Sequence, residues 1–191
     1  PTFADLNGDG KLDFVVGNGD GNIKVFFNSG SNTWPTEAIG AANPFVSIDV
    51  GSSAAPTFAD VNGDGKLDFV VGNYDGKIQV FLNSGSNTWP TEAIGAANPF
   101  VSIDVGSSAA PTFADVNGDG KLDFVVGNGD GNIKVFFNSG SNTWPTEAIG
   151  AANPFVSIDV GSSAAPTFAD VNGDGKLDFV VGNYDGKIQV F

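Results

Sequence analysis

The chain has 191 residues, with 22 acidic and 8 basic side chains, a formal net charge of −14, and no His, Cys or Met. Imidazole bases, thiol nucleophiles, zinc clusters, haem ligands and disulfides are therefore excluded, and an enzyme built from this sequence would rely on carboxylates alone. The lysines stand singly and form no basic stripe for phosphates, and no apolar run approaches the ~20 residues of a membrane span, so nucleic acid and membrane insertion are set aside.

The first organising feature is a repeat of 55 residues. Units run over 1–55, 56–110 and 111–165, and a partial unit covers 166–191. Units one and three differ only at Leu6 and Val116, whereas unit two departs from unit one at Val61, Tyr74, Lys77, Gln79 and Leu82. The copies therefore alternate. No charged-then-apolar leader opens the sequence, so an export signal is expected either to have been removed or never to have been present.

Within the first unit, in chain order, the strand-like runs are LDFVVGN from Leu12, NIKVFFN from Asn22 (KIQVFLN in unit two) and PFVSIDVG from Pro44. Each is short, rich in β-branched and aromatic residues, and bounded by Gly, Asn, Asp and Ser. Turns are expected at NGDG, at GNGDGN or GNYDGK, and at NSGSN, while Pro35, Pro44 and Pro56 break any helical pattern. TEAIGAAN from Thr36 reads as irregular or as a short outer strand. Four strands in about 50 residues, tandemly repeated, predict an all-β fold: a β-propeller of four-stranded blades, preferred over a β-solenoid because solenoid coils are usually shorter.

Every unit carries D-x-N-x-D-G-x-x-D. The residues are Asp5, Asn7, Asp9 and Asp13; Asp60, Asn62, Asp64 and Asp68; Asp115, Asn117, Asp119 and Asp123; and Asp170, Asn172, Asp174 and Asp178. Oxygens at positions 1, 3 and 5 enter one tight turn, glycine at position 6 permits the reversal, and position 9 adds a carboxylate. The main-chain carbonyls of Lys11, Lys66, Lys121 and Lys176 fall at position 7. This oxygen-only set suits a hard cation, and Ca²⁺ is the expected cofactor. A solvated acidic turn is the plainer alternative, although four intact copies weigh against it. An EF-hand is excluded because Val16 stands at position 12 and strands flank the loop; a dockerin-like loop would continue into a helix.

FADVNGDGKLDFVVGN followed by DGKIQVF resembles the FG-GAP or VCBS repeat of integrin-type β-propellers, in which the calcium loop joins neighbouring strands of a blade. The longer string ANPFVSIDVGSSAAPTFADVNGDGKLDFVVGNYDGKIQVFLNSG is similar to the Psathyrella velutina lectin family. That resemblance covers the whole chain and implies seven blades, calcium loops and N-acetylglucosamine pockets between blades. A multivalent, non-enzymatic lectin follows as the expectation, with an integrin-like protein-binding module and a carboxylate-only glycosidase (Glu37 with Asp49) as alternatives.

For the sugar, the candidate aromatic faces are Trp34, Trp89 and Trp144, which equally suit packing between blades, and Tyr74 and Tyr184, which equally suit exposed turns. Polar candidates are Asn18, Asn73, Asn128 and Asn183 with Asp20, Asp75, Asp130 and Asp185; Asn43 and Phe45 are further ones. The chain holds about three and a half repeats, so two copies hold close to seven. A homodimer closing one ring is expected. Strand counting leans towards eight blades, and a four-bladed monomer is the alternative. Calcium affinities typical of extracellular modules suit a secreted protein.

Overall fold

The computed structural model describes residues 1–31, 34, 36–85, 88–89, 92–140, 142–144 and 146–191. Pro35 and Asn32, the last residue of the first NSGSN turn, lie outside the described residues. Among the described residues twelve strands form four three-stranded antiparallel sheets. The first sheet is β1 (Thr2–Ala4), β2 (Asp13–Gly17) and β3 (Ile23–Phe26), and the second is β4 (Ala55–Ala59), β5 (Asp68–Gly72) and β6 (Ile78–Phe81). The third is β7 (Ala110–Ala114), β8 (Asp123–Gly127) and β9 (Ile133–Phe136), and the last is β10 (Ala165–Ala169), β11 (Asp178–Gly182) and β12 (Ile188–Val190). In each sheet the strands pair in chain order, for example Phe58↔Phe69 and Phe69↔Phe81. The fold is all-β, and the repeated sheets are the blades of a propeller. Among the described residues no helix is long and apolar enough to cross a membrane.

Three differences from the sequence reading have local causes. PFVSIDVG is not a strand: turns cover 44–47, because the Asn43 side-chain oxygen accepts from the Phe45 amide at 2.9 Å and Ile48 N–H then donates to the Phe45 carbonyl at 3.0 Å. APTFA, which was not read as a strand, forms β4, β7 and β10; it pairs on one side only, and that edge tolerates a proline without an N–H. Among the described residues the fourth strand is represented by single bridges, Phe26↔Glu37, Phe81↔Glu92 and Phe136↔Glu147, followed by short 3₁₀ turns at Gly40–Ala42, Gly95–Ala97 and Gly150–Ala152.

The first strands β1, β4, β7 and β10 adjoin one another in sequence order, so the sheets fan out from a shared inner edge. The core lies between sheets rather than within them. Val70 and Val80 of the second sheet meet Phe100, Phe124, Val126 and Trp144, while Phe69 and Val71 point the other way, towards Val15, Val25 and Phe45. The period-2 alternation of a strand thus serves two different neighbours. Close approach at these boundaries demands glycine: a Cβ on Gly76, already at φ +79°, would collide with the Gly106 carbonyl.

Candidate functional site

The Asp5–Asp13 loop connects β1 to β2. The Asp5 carboxylate accepts N–H groups from Gly8 at 2.7 Å, Asp9 at 3.1 Å and Gly10 at 2.8 Å. Asn7 Oδ1 accepts from Asp9 N–H at 2.9 Å, and Asp9 Oδ1 from Lys11 N–H at 3.0 Å. Left-handed backbone at Gly8 (φ 77°) and Gly10 (φ 80°) makes the reversal possible. The Lys11 ammonium, 3.0 Å from Asp9, holds that carboxyl below its usual range, as Lys66 and Lys121 do for Asp64 and Asp119. In the last loop the Gly175 N–H leads a set of backbone donors that lower Asp170.

The position-9 carboxylates do more than close the loop. Asp13, Asp68 and Asp123 are fully buried. Asp68 Oδ2 accepts from Val61 N–H at 3.1 Å and Oδ1 from Asn83 N–H at 2.8 Å, tying the loop to the second residue beyond β6. Burial pushes the Asp68 and Asp123 carboxyls up against those hydrogen bonds. The sequence reading missed the partners Asn28, Asn83 and Asn138; the asparagine closing FFN or FLN was the available signal.

Among the described residues no three carboxylates converge into a metal cluster; the loop carboxylates face their own N–H groups and lysines. The chemistry of the set fits a hard cation nonetheless. It offers oxygen donors only, and a carboxylate oxygen that accepts one N–H keeps a second lone pair.

The aromatic candidates divide. Trp89 and Trp144 are buried, with ring centroids 5.2 Å from Phe45 and 5.1 Å from Phe100 of the preceding unit, so they are packing residues and not open sugar platforms. Their indole N–H groups donate to the Leu67 and Leu122 carbonyls at 3.2 and 3.1 Å. Trp34 is half-buried, makes the same bond to Leu12 at 3.1 Å and lies 5.9 Å from Phe3. Tyr74 and Tyr184 stand exposed on hairpin turns.

The asparagines also prove structural. Asn73, Asn128 and Asn183 donate across the unit boundary to the carbonyls of Val50, Val105 and Val160 at 2.7, 2.9 and 2.6 Å, and accept from N–H groups of their own turn. Asn18 accepts from Asn22 N–H at 2.9 Å. Both ends of the Asn43 amide are occupied as well, and Phe45 is fully buried. Asp20, Asp75, Asp130 and Asp185 sit exposed at the hairpin tips. Glu37 is held by Lys24 at 3.0 Å, and Asp49 accepts from Gly51 N–H at 3.0 Å, so neither of the two carboxylates proposed for hydrolysis is a free group.

Hollows of two kinds occur among the described residues. One kind lies between units: about 660 Å³ between the third unit and the last sheet, beside Val116, Pro154, Phe155, Phe179 and Phe191, and about 470 Å³ between the second and third units, where Asn62 and Leu82 and the turn bearing Pro99 and Ser102 face Thr143 and Trp144. None of the latter residues except Trp144 and Asn62 of the Asp-rich loop stood out in the sequence as a site residue, although Leu82 was visible as an alternating position. The other kind recurs inside units one, two and three, beside Lys24 and Glu37, Gln79 and Glu92, and Lys134 and Glu147.

The FG-GAP-like repeat model matches three overlapping stretches, residues 5–71, 60–126 and 115–181. The chain belongs to the FG-GAP-like repeat family. Each match starts at the first aspartate of one loop and ends in the middle strand of the following sheet, so the FG-GAP-like unit contains a whole between-sheet boundary. No curated protein sequence matches this FG-GAP-like chain.

Among solved structures it is similar to an Agrocybe aegerita lectin described for specific recognition of non-reducing terminal N-acetylglucosamine. Identity is 22%, the TM-score is 0.53, and the match covers 98% of this chain and 50% of that one. It also matches BBS1N in complex with ARL6DN from mercury- and lead-soaked crystals, at 15% and 14% identity and TM-scores of 0.43 and 0.41, with 100% of this chain and 52% of those chains covered. The FG-GAP-like chain thus spans about half the length of the solved structures it matches.

Proposed function

We propose that the chain is a non-enzymatic glycan-binding propeller segment that takes N-acetylglucosamine-type sugars in the pockets between consecutive sheets. The observation that carries this reading is the hollow between the second and third units. The Val61 and Leu82 side chains supply an apolar surface, while Asn62, Ser102 and Thr143 supply donors and acceptors for hydroxyl and acetamido groups. The likeness to a lectin propeller supports it at the level of fold.

Calcium in the four Asp-rich loops stiffens the scaffold in this reading, held by the side chains at positions 1, 3, 5 and 9 and the position-7 carbonyl. Bound there, the ion neutralises clustered carboxylates and braces each β1–β2-type hairpin. Two chains closing one ring, with seven blades favoured, would present several equivalent sites to a glycan-coated surface outside the cell, and effective concentration would then convert weak single contacts into tight attachment.

The decisive measurement is a glycan array followed by titration calorimetry with N-acetylglucosamine and a crystal soaked with the same sugar. Binding with density between sheets is expected. Density in the recurring hollow beside Lys24 would move the site, and silence across all glycans would reject the lectin reading. The second reading, a protein-binding adhesion module, is favoured by one observation: Ile39, Ile94 and Ile149 are each about three-quarters exposed at the same place in successive units.

A further inference from the structure

The repeats are not uniform, and the differences cluster at hollows. Of the five positions at which unit two departs from unit one, Val61 and Leu82 line the between-sheet pocket, and Lys77 and Gln79 line the hollow within the unit. None is a side-chain ligand of the Asp-rich loop. The position of Leu82 is held by Phe27 in unit one and Phe137 in unit three. Phe27 packs against the cluster containing Trp89, just as Leu82 packs against the one containing Trp144, so the two side chains occupy equivalent walls.

The polar positions do not change with them. Asn62 and Ser102 of one boundary are Asn7 and Ser47 at the boundary before it, and Thr143 corresponds to Thr88. Hydrogen-bonding chemistry is therefore constant between these two pockets, while the apolar wall differs at two positions: Leu82 stands where unit one has the larger planar ring of Phe27, and Val61 where it has the longer Leu6. Close-packed surfaces register a change of this size, and a group's worth of apolar volume alters affinity by roughly 10- to 200-fold.

We infer that the residue at this position, Leu82 or Phe27, sets the capacity of the between-sheet pocket, so that one chain carries two classes of site for the same N-acetylated sugar. This rests on the proposed lectin function and names its specificity determinant. The Leu82 pocket is the open class and holds the sugar with its acetamido methyl against the leucine. The Phe27 pocket is the narrow class, because the ring fills the space the methyl would take.

The sister copies supply the test. Leu82→Phe and Phe27→Leu each import the residue that the same fold already accommodates in another unit, and melting temperatures close to wild type will confirm that both fold. Titration calorimetry of the full chain with N-acetylglucosamine is expected to show that Leu82→Phe removes one strong site per chain, weakened tenfold or more, and that Phe27→Leu adds one. A wild-type chain that binds while both variants reproduce its stoichiometry and affinity overturns this inference alone. A wild-type chain silent towards the sugar overturns the lectin reading and this inference with it.

Discussion

The Asp-rich loops and the sheet faces obey different rules. The loops at the two ends of the chain share their main-chain hydrogen bonds: Gly8 N–H to Asp5 is 2.7 Å and Gly173 N–H to Asp170 is 2.6 Å; Gly10 to Asp5 is 2.8 Å and Gly175 to Asp170 is 2.9 Å. The faces are not alike. The identical DFVVG strand is buried at every residue in β5 and β8 but only at alternate residues in β11. Val80 of the second sheet is 0% exposed, whereas Val190, its counterpart in the last, is 53% exposed. A turn closed by its own side chains carries its structure wherever it stands. A blade face takes its burial from whichever unit lies next to it.

The largest expected effect probes the local half of that contrast. With calcium at a hundredfold excess over its dissociation constant, each loop that binds it only in the folded state contributes ~2.7 kcal/mol, so four loops contribute on the order of 10 kcal/mol. Chelation with EDTA should lower the melting temperature sharply in scanning calorimetry. Because the loops are alike, Asp60→Ala in the middle and Asp5→Ala at the edge should remove equal shares of the calcium effect. An unchanged melting curve in EDTA would discard calcium from the scaffold.

The non-local half predicts inequality. Phe100 is buried against Phe124 at 4.3 Å and Trp144 at 5.1 Å, and Phe100→Ala should cost about 3–5 kcal/mol in urea unfolding. In a single chain Phe191, 55% exposed, should lose less than about 1 kcal/mol on the same change, and closure of the ring by a second copy would raise that loss towards the Phe100 value. Equal losses would mean that an end face is covered as fully as a middle one. A smaller gap is expected between Gly76→Ala and Gly186→Ala. Both glycines have positive φ, which alone costs about 1–2 kcal/mol, but only Gly76 also faces a carbonyl, that of Gly106, so its variant should be the less stable of the two.

The same distinction decides what could be read from the sequence. The repeat, the D-x-N-x-D-G loops and the two strands after each loop were legible because their determinants lie within a few residues. The tryptophans were not. SNTWPTEAIG is polar and turn-rich, which suggests exposure, yet Phe45 and Phe100 of the preceding units cover Trp89 and Trp144. PFVSIDVG alternates like a strand and buries its phenylalanine like one, but Asn43 captures the Phe45 amide and curls the backbone. APTFA escaped notice because its proline and small residues look unlike a strand, and only its edge position makes them acceptable.

The smallest effect is a change of sign between neighbouring blades. Glu37 is paired with Lys24 at 3.0 Å, half-exposed, and Glu37→Gln should cost up to about 0.5 kcal/mol by weakening a surface ion pair. In unit two the same site holds Gln79, whose Nε2 donates to Glu92 at 3.2 Å while its Oε1 is buried and, among the described residues, the one such side-chain atom without a partner. Glu92→Gln keeps an acceptor for Nε2 and brings an N–H donor within reach of that orphaned oxygen. It should therefore be neutral or stabilising, by up to about 1 kcal/mol. Paired urea titrations of the two variants read the sign directly: destabilisation by both would show that the Lys24-to-Gln79 exchange leaves the energetics of the glutamate unchanged, and that the alternation of the copies does not reach this hollow.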